Sequence, residues 1–182
     1  MKKQILSRAA TQNLVLAALF LAIGVVLPSL TGAIKEIGDS LLPMHLAVML
    51  CGVICGWKYT LPVGLVLPFF RAVLFGMPPL YPNAVYMALE LATYGLVVGI
   101  LYSMRKRYSR WYLLACLACS MLAGRIVWGI TKAVLLGAAN KPFGIRAFLV
   151  GGFLDALPGI LLQFILIPLV IEVLERRNGR KA

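Results

Sequence analysis

Acidic residues are scarce in this chain. Six Asp and Glu stand against 18 Lys and Arg, and charged residues make up only 13% of the 182 positions. Soluble domains carry about a quarter charged residues, so an ordinary water-facing surface is excluded. Catalytic signatures are also missing. The chain contains no H-E-x-x-H, no G-x-S-x-G, no P-loop and no Asp-rich cluster of the kind that binds metal for phosphoryl transfer. Its single histidine, His45, has no Ser or Cys partner by spacing, so no catalytic residue and no metal ligand is nominated. The four cysteines add nothing to this. Cys116 and Cys119 form a C-x-x-C inside an apolar run without a nearby His or carboxylate, and Cys51 and Cys55 lie on another such run. Free Cys in that setting packs as a small hydrophobe. No pair of matching halves is visible, as many autonomous transporters have.

What is present is apolar. Hydrophobic residues reach 62% and mean hydropathy is +0.93, which describes an all-α integral membrane protein with room for about six spans in a single membrane domain. Apolar runs place the spans at about 13–30, 44–57, 60–75, 83–104, 111–139 and 146–174. The second and third are short, and Pro62 and Pro68 interrupt the third. Gly76-Met77-Pro78-Pro79-Leu80-Tyr81-Pro82 reads as a stiff non-helical loop. The short basic segment before the first run resembles a signal peptide. No small-residue cleavage signature follows it, so a retained helix is expected.

The net charge of +12 is not a nucleic-acid patch, because it is distributed around the spans. Twelve of the 18 cations fall on one side: Lys2, Lys3 and Arg8, then Lys58, then Arg105, Lys106, Arg107 and Arg110, and finally Arg176, Arg177, Arg180 and Lys181. Lys35, Lys141 and Arg146 fall on the other, and Arg71, Arg125 and Lys132 lie within spans. The positive-inside rule then puts both termini in the cytoplasm, with anionic lipid headgroups beside the clusters.

Ionisable residues inside spans are costly and face a bundle interior or a wet cavity. Arg125, Trp128, Gly129 and Lys132 share one helical face, as do Asn83, Tyr86, Glu90, Thr93 and Tyr94 on the preceding span. Asp155, Gly159 and Gln163 share a face on the last, with Pro158 loosening the helix between them. Glu90 is about 10 Å and Asp155 about 13 Å from the outer surface at 1.5 Å per residue. Arg71 and His45 lie near outer ends, so a pocket open outward and sealed inward is expected. In it Arg125 or Arg71 meets an anionic group, Glu90 or Asp155 accepts from amide or amine donors, and Trp128 or Tyr86 forms a flat wall. The structural alternative is that Glu90–Arg125 and Asp155–Arg71, or the swapped pairs, are buried ion pairs fixing helix register, with Lys132 snorkelling outward.

Small residues on the first span, Ala18-Leu19-Phe20-Leu21-Ala22, would let another helix approach closely. Together with Leu42-Pro43-Met44-His45, Phe75-Gly76-Met77-Pro78-Pro79-Leu80 and Ala123-Gly124-Arg125-Ile126-Val127, the whole chain resembles the substrate-binding S components of energy-coupling factor (ECF) transporters. That resemblance implies a subunit, not an enzyme, in the plasma membrane of a bacterium. Such a subunit captures a water-soluble vitamin or related micronutrient outside and topples in the membrane to release it inside. It also implies a transmembrane coupling protein facing Ala18 and Ala22, two cytoplasmic ATPases that hydrolyse ATP, and no cofactor in this chain. The charges lean towards a carboxylate-bearing ligand such as pantothenate or niacin. A pyridoxine-like or deazapurine ligand read by Glu90 and Asp155 is the competing choice, and an intramembrane enzyme acting on a lipid or prenyl substrate is the competing class.

Overall fold

The computed structural model describes residues 2–31, 42–105, 109–140 and 142–179. Lys35, Glu36 and Asp39 of the first connection, and the basic residues Lys106, Arg107, Lys141, Arg180 and Lys181, lie outside the described residues. The described chain is helical, with no strand. Its elements are α1 (Lys2–Thr31), α2 (Pro43–Cys55), α3 (Trp57–Phe75), a π-turn (Leu80–Ala84), α4 (Val85–Ser103), α5 (Arg110–Ala138), α6 (Ile145–Leu149), a second π-turn (Val150–Leu154) and α7 (Leu157–Gly179).

Local chemistry sets these boundaries. Pro43 opens α2, where its missing N–H would have had no partner anyway. Gly56 ends α2 at φ 84° and turns the chain straight into α3, a backbone conformation open to glycine at little cost. Gly76, at φ 70°, closes α3 by donating its N–H to the Ala72 carbonyl. Tyr81 is extended (φ −131°, ψ 135°) and divides the π-turn. Ser109 caps α5 by accepting the Tyr112 N–H at 3.4 Å. Proline is tolerated inside α1, α3 and α7 (Pro28, Pro62, Pro68, Pro168), as is common in spanning helices.

Five segments are long and apolar enough to cross a bilayer: Ala10–Ser29, Trp57–Phe75, Leu80–Ser103, Arg110–Ala138 and Ile145–Arg177. Helix α2 is a shorter apolar helix of 13 residues, about 20 Å long at 1.5 Å per residue. Gly56 is the physical reason that the second apolar run stops so early. The last run, expected as one helix from about 146, is instead divided. Residues 150–156 pass through the π-turn and a further turn before α7 begins at Leu157.

Helix α4 sits at the middle, packed most extensively against α3 and α5 and also against α2; α1 leans on α2 and α3, and α7 on α5 and α2. Glycines bring these backbones close. A Cβ on Gly64 of α3 would meet the α4 backbone at Leu91 and Ala92 at 2.7 Å. Only hydrogen fits there, as at other close helix crossings in lipid. The core around this crossing includes Val48, Met49, Leu67, Leu91, Tyr94, Val98, Leu113, Leu117 and Ile167. A tie between α4 and α7 closes the end of the bundle away from Glu90. Arg105, after α4, pairs with Glu175 of α7, and its guanidinium lies 4.1 Å from the Tyr102 ring centroid.

Candidate functional site

Among the buried residues of this core are six polar or charged ones: His45, Thr60, Glu90, Ser120, Arg125 and Gln163. Three of them meet. Glu90 of α4 is 1% exposed, Arg125 of α5 4% and His45 of α2 3%. Arg125 Nη1 lies 2.9 Å from Glu90 Oε1, the Tyr94 hydroxyl donates to the same oxygen at 3.0 Å, and His45 Nε2 lies 3.5 Å from it. The edge of the His45 ring faces Tyr94 at 5.2 Å. Helical spacing explains the convergence, since Tyr86, Glu90 and Tyr94 recur every four residues and so line one side of α4. Ser120 reinforces it by donating its hydroxyl to the Tyr94 carbonyl at 2.8 Å. Gly124, next to Arg125, admits the Tyr94 ring, which a Cβ there would meet at 2.6 Å.

A charge pair this deep is expensive to desolvate and is retained only when its partners are well placed. Yet the pair is not saturated. Arg125 Nε and Nη2 and both His45 ring nitrogens are buried without a hydrogen-bond partner among the described residues, as is Gln163 Nε2. Unmet buried polar groups cost about 1–3 kcal/mol each, and four of these atoms belong to Arg125 and His45, the two residues that face Glu90.

An aromatic box adjoins it. Trp128, one turn along α5 from Arg125, packs edge-to-face with Tyr86 of α4 (6.2 Å) and with Phe143 (5.9 Å), and tilts against Phe148 of α6 (6.0 Å). Gly129 makes room for Phe148, whose ring a Cβ there would meet at 2.4 Å. Lys132 places its ammonium among these rings, 4.5 Å from the Trp128 centroid, 5.3 Å from Phe143 and 5.4 Å from Tyr86. The Arg125 guanidinium lies 5.9 Å from the same Trp128 ring. Asn83 is half-buried in the π-turn that leads into this face.

The sequence profile of the family described as "ECF transporter, substrate-specific component" matches residues 12–171. The chain belongs to that family. Comparisons with curated proteins and with solved structures give no match. As an S component, the chain is a multi-pass membrane subunit of a transporter, and members of this family bind substrate and work with a transmembrane coupling protein and ATPases.

The S component does not gather every residue that its sequence singles out. Glu90, Arg125, His45, Tyr86, Trp128 and Lys132 come together around α4 and α5. Arg71 instead reaches α1, donating from Nη1 to the Val25 carbonyl at 2.9 Å and lying 3.3 Å from the Ser29 hydroxyl, with its guanidinium over Phe75. Asp155 is exposed and forms no ion pair with a described residue. The alternative Asp155–Arg71 pair is therefore not made, whereas the Glu90–Arg125 pair is. Asp155 lies at the turn between the second π-turn and α7, whereas Gly159 and Gln163 are buried within α7. Gln163 is 1% exposed. Phe143 and Phe148 are the additions. Tyr94 is legible from its i+4 spacing to Glu90, but Phe143 lies in the connection before α6 and Phe148 within that short helix, and neither carries a periodic signal. Ala18 and Ala22 are exposed on α1, beside Leu14, Val15, Leu19, Ile23 and Val26.

Proposed function

We propose that this S component captures a small water-soluble vitamin or related micronutrient in the space framed by the Glu90–Arg125–His45 cluster and the Trp128–Tyr86–Phe143 box. One observation carries the reading. A charge pair buried to a few per cent holds guanidinium N–H groups that no described residue accepts from. A purely structural pair is expected to be saturated by its surroundings, so a ligand acceptor completes this one. Asn83 and Gln163 supply further polar contacts at the margins, and Arg71 serves α1 rather than the ligand.

The delivery half of the reading follows from family and charge. Six spans, with α2 as the short one and both ends cytoplasmic, agree with the distribution of Lys and Arg. On this reading the Glu90 level lies in the outer half of the plasma membrane of a bacterium. The exposed Ala18–Ala22 face of α1 is the docking face for the coupling protein, with ATP hydrolysis in two cytoplasmic partner chains. The charge balance favours a carboxylate ligand of the pantothenate or niacin kind over a pyridoxine-like or deazapurine one.

The test is a thermal-unfolding screen of the detergent-purified protein against water-soluble vitamins and their precursors, beside a Trp128→Ala variant. A native-state ligand at 100 times its Kd stabilises by about 2.7 kcal/mol. One vitamin should raise the unfolding temperature of the wild type and not of the variant. A ligand that acts equally on a folded Trp128→Ala protein would move the site elsewhere.

A further inference from the structure

The polar cluster and the aromatic box differ in charge. Glu90 brings one negative charge, and Arg125 meets it at 2.9 Å. Among the described residues Lys132 has no carboxylate within ion-pair distance; its ammonium rests among the rings of Trp128, Phe143 and Tyr86, at 4.5, 5.3 and 5.4 Å. The site therefore holds two fixed cations and one carboxylate, and the surplus positive charge sits at Lys132. Ring faces offset part of the cost of a half-buried ammonium, but they do not neutralise it, and a cation inside a span is costly.

On this basis we infer that Lys132 is the residue that selects the ligand, and that the ligand is a monoanion whose carboxylate pairs with Lys132 while its flat or apolar body displaces the ammonium from the aromatic box. This rests on the substrate-capture reading above and refines it, because it moves the anion contact from the arginines to the lysine. Arg71 is spent on the Val25 carbonyl and Arg125 on Glu90. The Nε and Nη2 groups of Arg125 then serve a neutral acceptor on the same ligand, such as a carbonyl or ring nitrogen. A cationic ligand would place a second positive charge beside the lysine, and a neutral one would leave the surplus unmet. Trp128 lies between the two demands, one turn from each cation along α5.

The experiment is equilibrium binding to the full-length protein in lipid nanodiscs with matched acid and neutral probes: nicotinate against nicotinamide, pantothenate against pantothenol, and biotin against its amide, with thiamine as the cation. One acid should bind the wild type at least about tenfold more tightly than its neutral partner, the scale of one charge-assisted contact. Lys132→Met should abolish that preference by weakening the acid and not the neutral compound, and Lys132→Arg should keep it. Ligand-free Lys132→Met should unfold at the same temperature as the wild type or higher, since it removes an unmatched charge while keeping the side-chain volume. An acid that binds Lys132→Met as it binds the wild type would overturn the assignment. So would a Lys132→Met protein that unfolds at lower temperature and loses acid and neutral probes alike, which would make the lysine a packing residue. Binding of a neutral or cationic probe with no acid bound would overturn the monoanion and leave substrate capture standing. No binding by folded protein would overturn the assignment as well. Co-purification with the coupling protein, which needs no ligand, would show whether the transporter reading falls with it.

Discussion

Helices α4 and α1 are both apolar enough to span a bilayer, yet they are used in opposite ways. In the spanning window of α4, 56% of residues are buried, and in that of α5 50%; in α1 the share is 17%. Lipid tails are as apolar as leucine, so greasiness alone does not drive a helix into the bundle. What draws α4 to the middle is small residues and paired polar groups: Gly64 of α3 against its backbone, Ser120 bonded to its Tyr94 carbonyl, and Arg125 held by its Glu90. Helix α1 is tied on its inner side by the Arg71 contacts to Val25 and Ser29 and by Gly24 against Leu67 and Ala47, and presents alanine and aliphatic side chains on the outer. The polar interior is where a ligand can be specified, and the bare outer face is where another membrane chain can dock.

Substitutions can break or sharpen this contrast. The largest effect is expected from Glu90→Leu, which strands Arg125 as an uncompensated buried cation and should cost about 3–5 kcal/mol. Denaturant titration in detergent would measure it, and Arg125→Met on the same chain should recover most of the loss. If the single change is silent, the α4–α5 pair does not hold the interior together. Next comes Gly64→Val at the α3–α4 crossing, where overpacking should cost about 1–3 kcal/mol. Gly137, with nothing within 4 Å of its Cβ position, is the matched control, and Gly137→Val should stay within about 0.5 kcal/mol.

Arg71→Met should be milder, about 1–2 kcal/mol, because it removes a charged donor from a half-buried carbonyl. Amide exchange should then quicken in α1 and not in α4; equal quickening in both would show that α1 is no separate unit. The smallest change in stability, within about 0.5 kcal/mol, is expected from Ala18→Leu and Ala22→Leu. Those variants should nonetheless lose co-purification with the coupling protein. If they unfold the protein instead, the α1 face is internal and the contrast disappears.

Much of this was legible in the sequence, and the omissions have physical causes. Apolar run length marked the helices, five of them long enough to span a bilayer, and i+4 spacing put Tyr86, Glu90 and Tyr94 on one side and Arg125, Trp128 and Lys132 on another. Those faces could meet only if α4 and α5 were neighbours, which a short basic loop between them makes natural. Arg71 was misplaced because a long guanidinium side chain can bond to any backbone carbonyl within reach, and no residue type advertises the Val25 carbonyl. Asp155 is exposed rather than turned to the cluster, and nothing in its spacing to Gly159 and Gln163 signals the π-turn that precedes it. Phe143 and Phe148 escaped because their positions depend on how the α5–α6 connection folds back over Trp128. Tertiary packing decides that.

Trp128 carries one more consequence. Of the three tryptophans, Trp111 is 81% exposed and Trp57 38%, while Trp128 is 6% exposed and has two cationic side chains within 6 Å of its ring. An indole so placed is a resident optical reporter, because its emission depends on the electric field across the ring. With Trp57 and Trp111 replaced by phenylalanine, emission excited at the red edge, where tyrosine does not absorb, would come from Trp128 alone. Arrival of a negative charge there would be visible as a spectral shift in the unlabelled protein, in real time and inside a membrane.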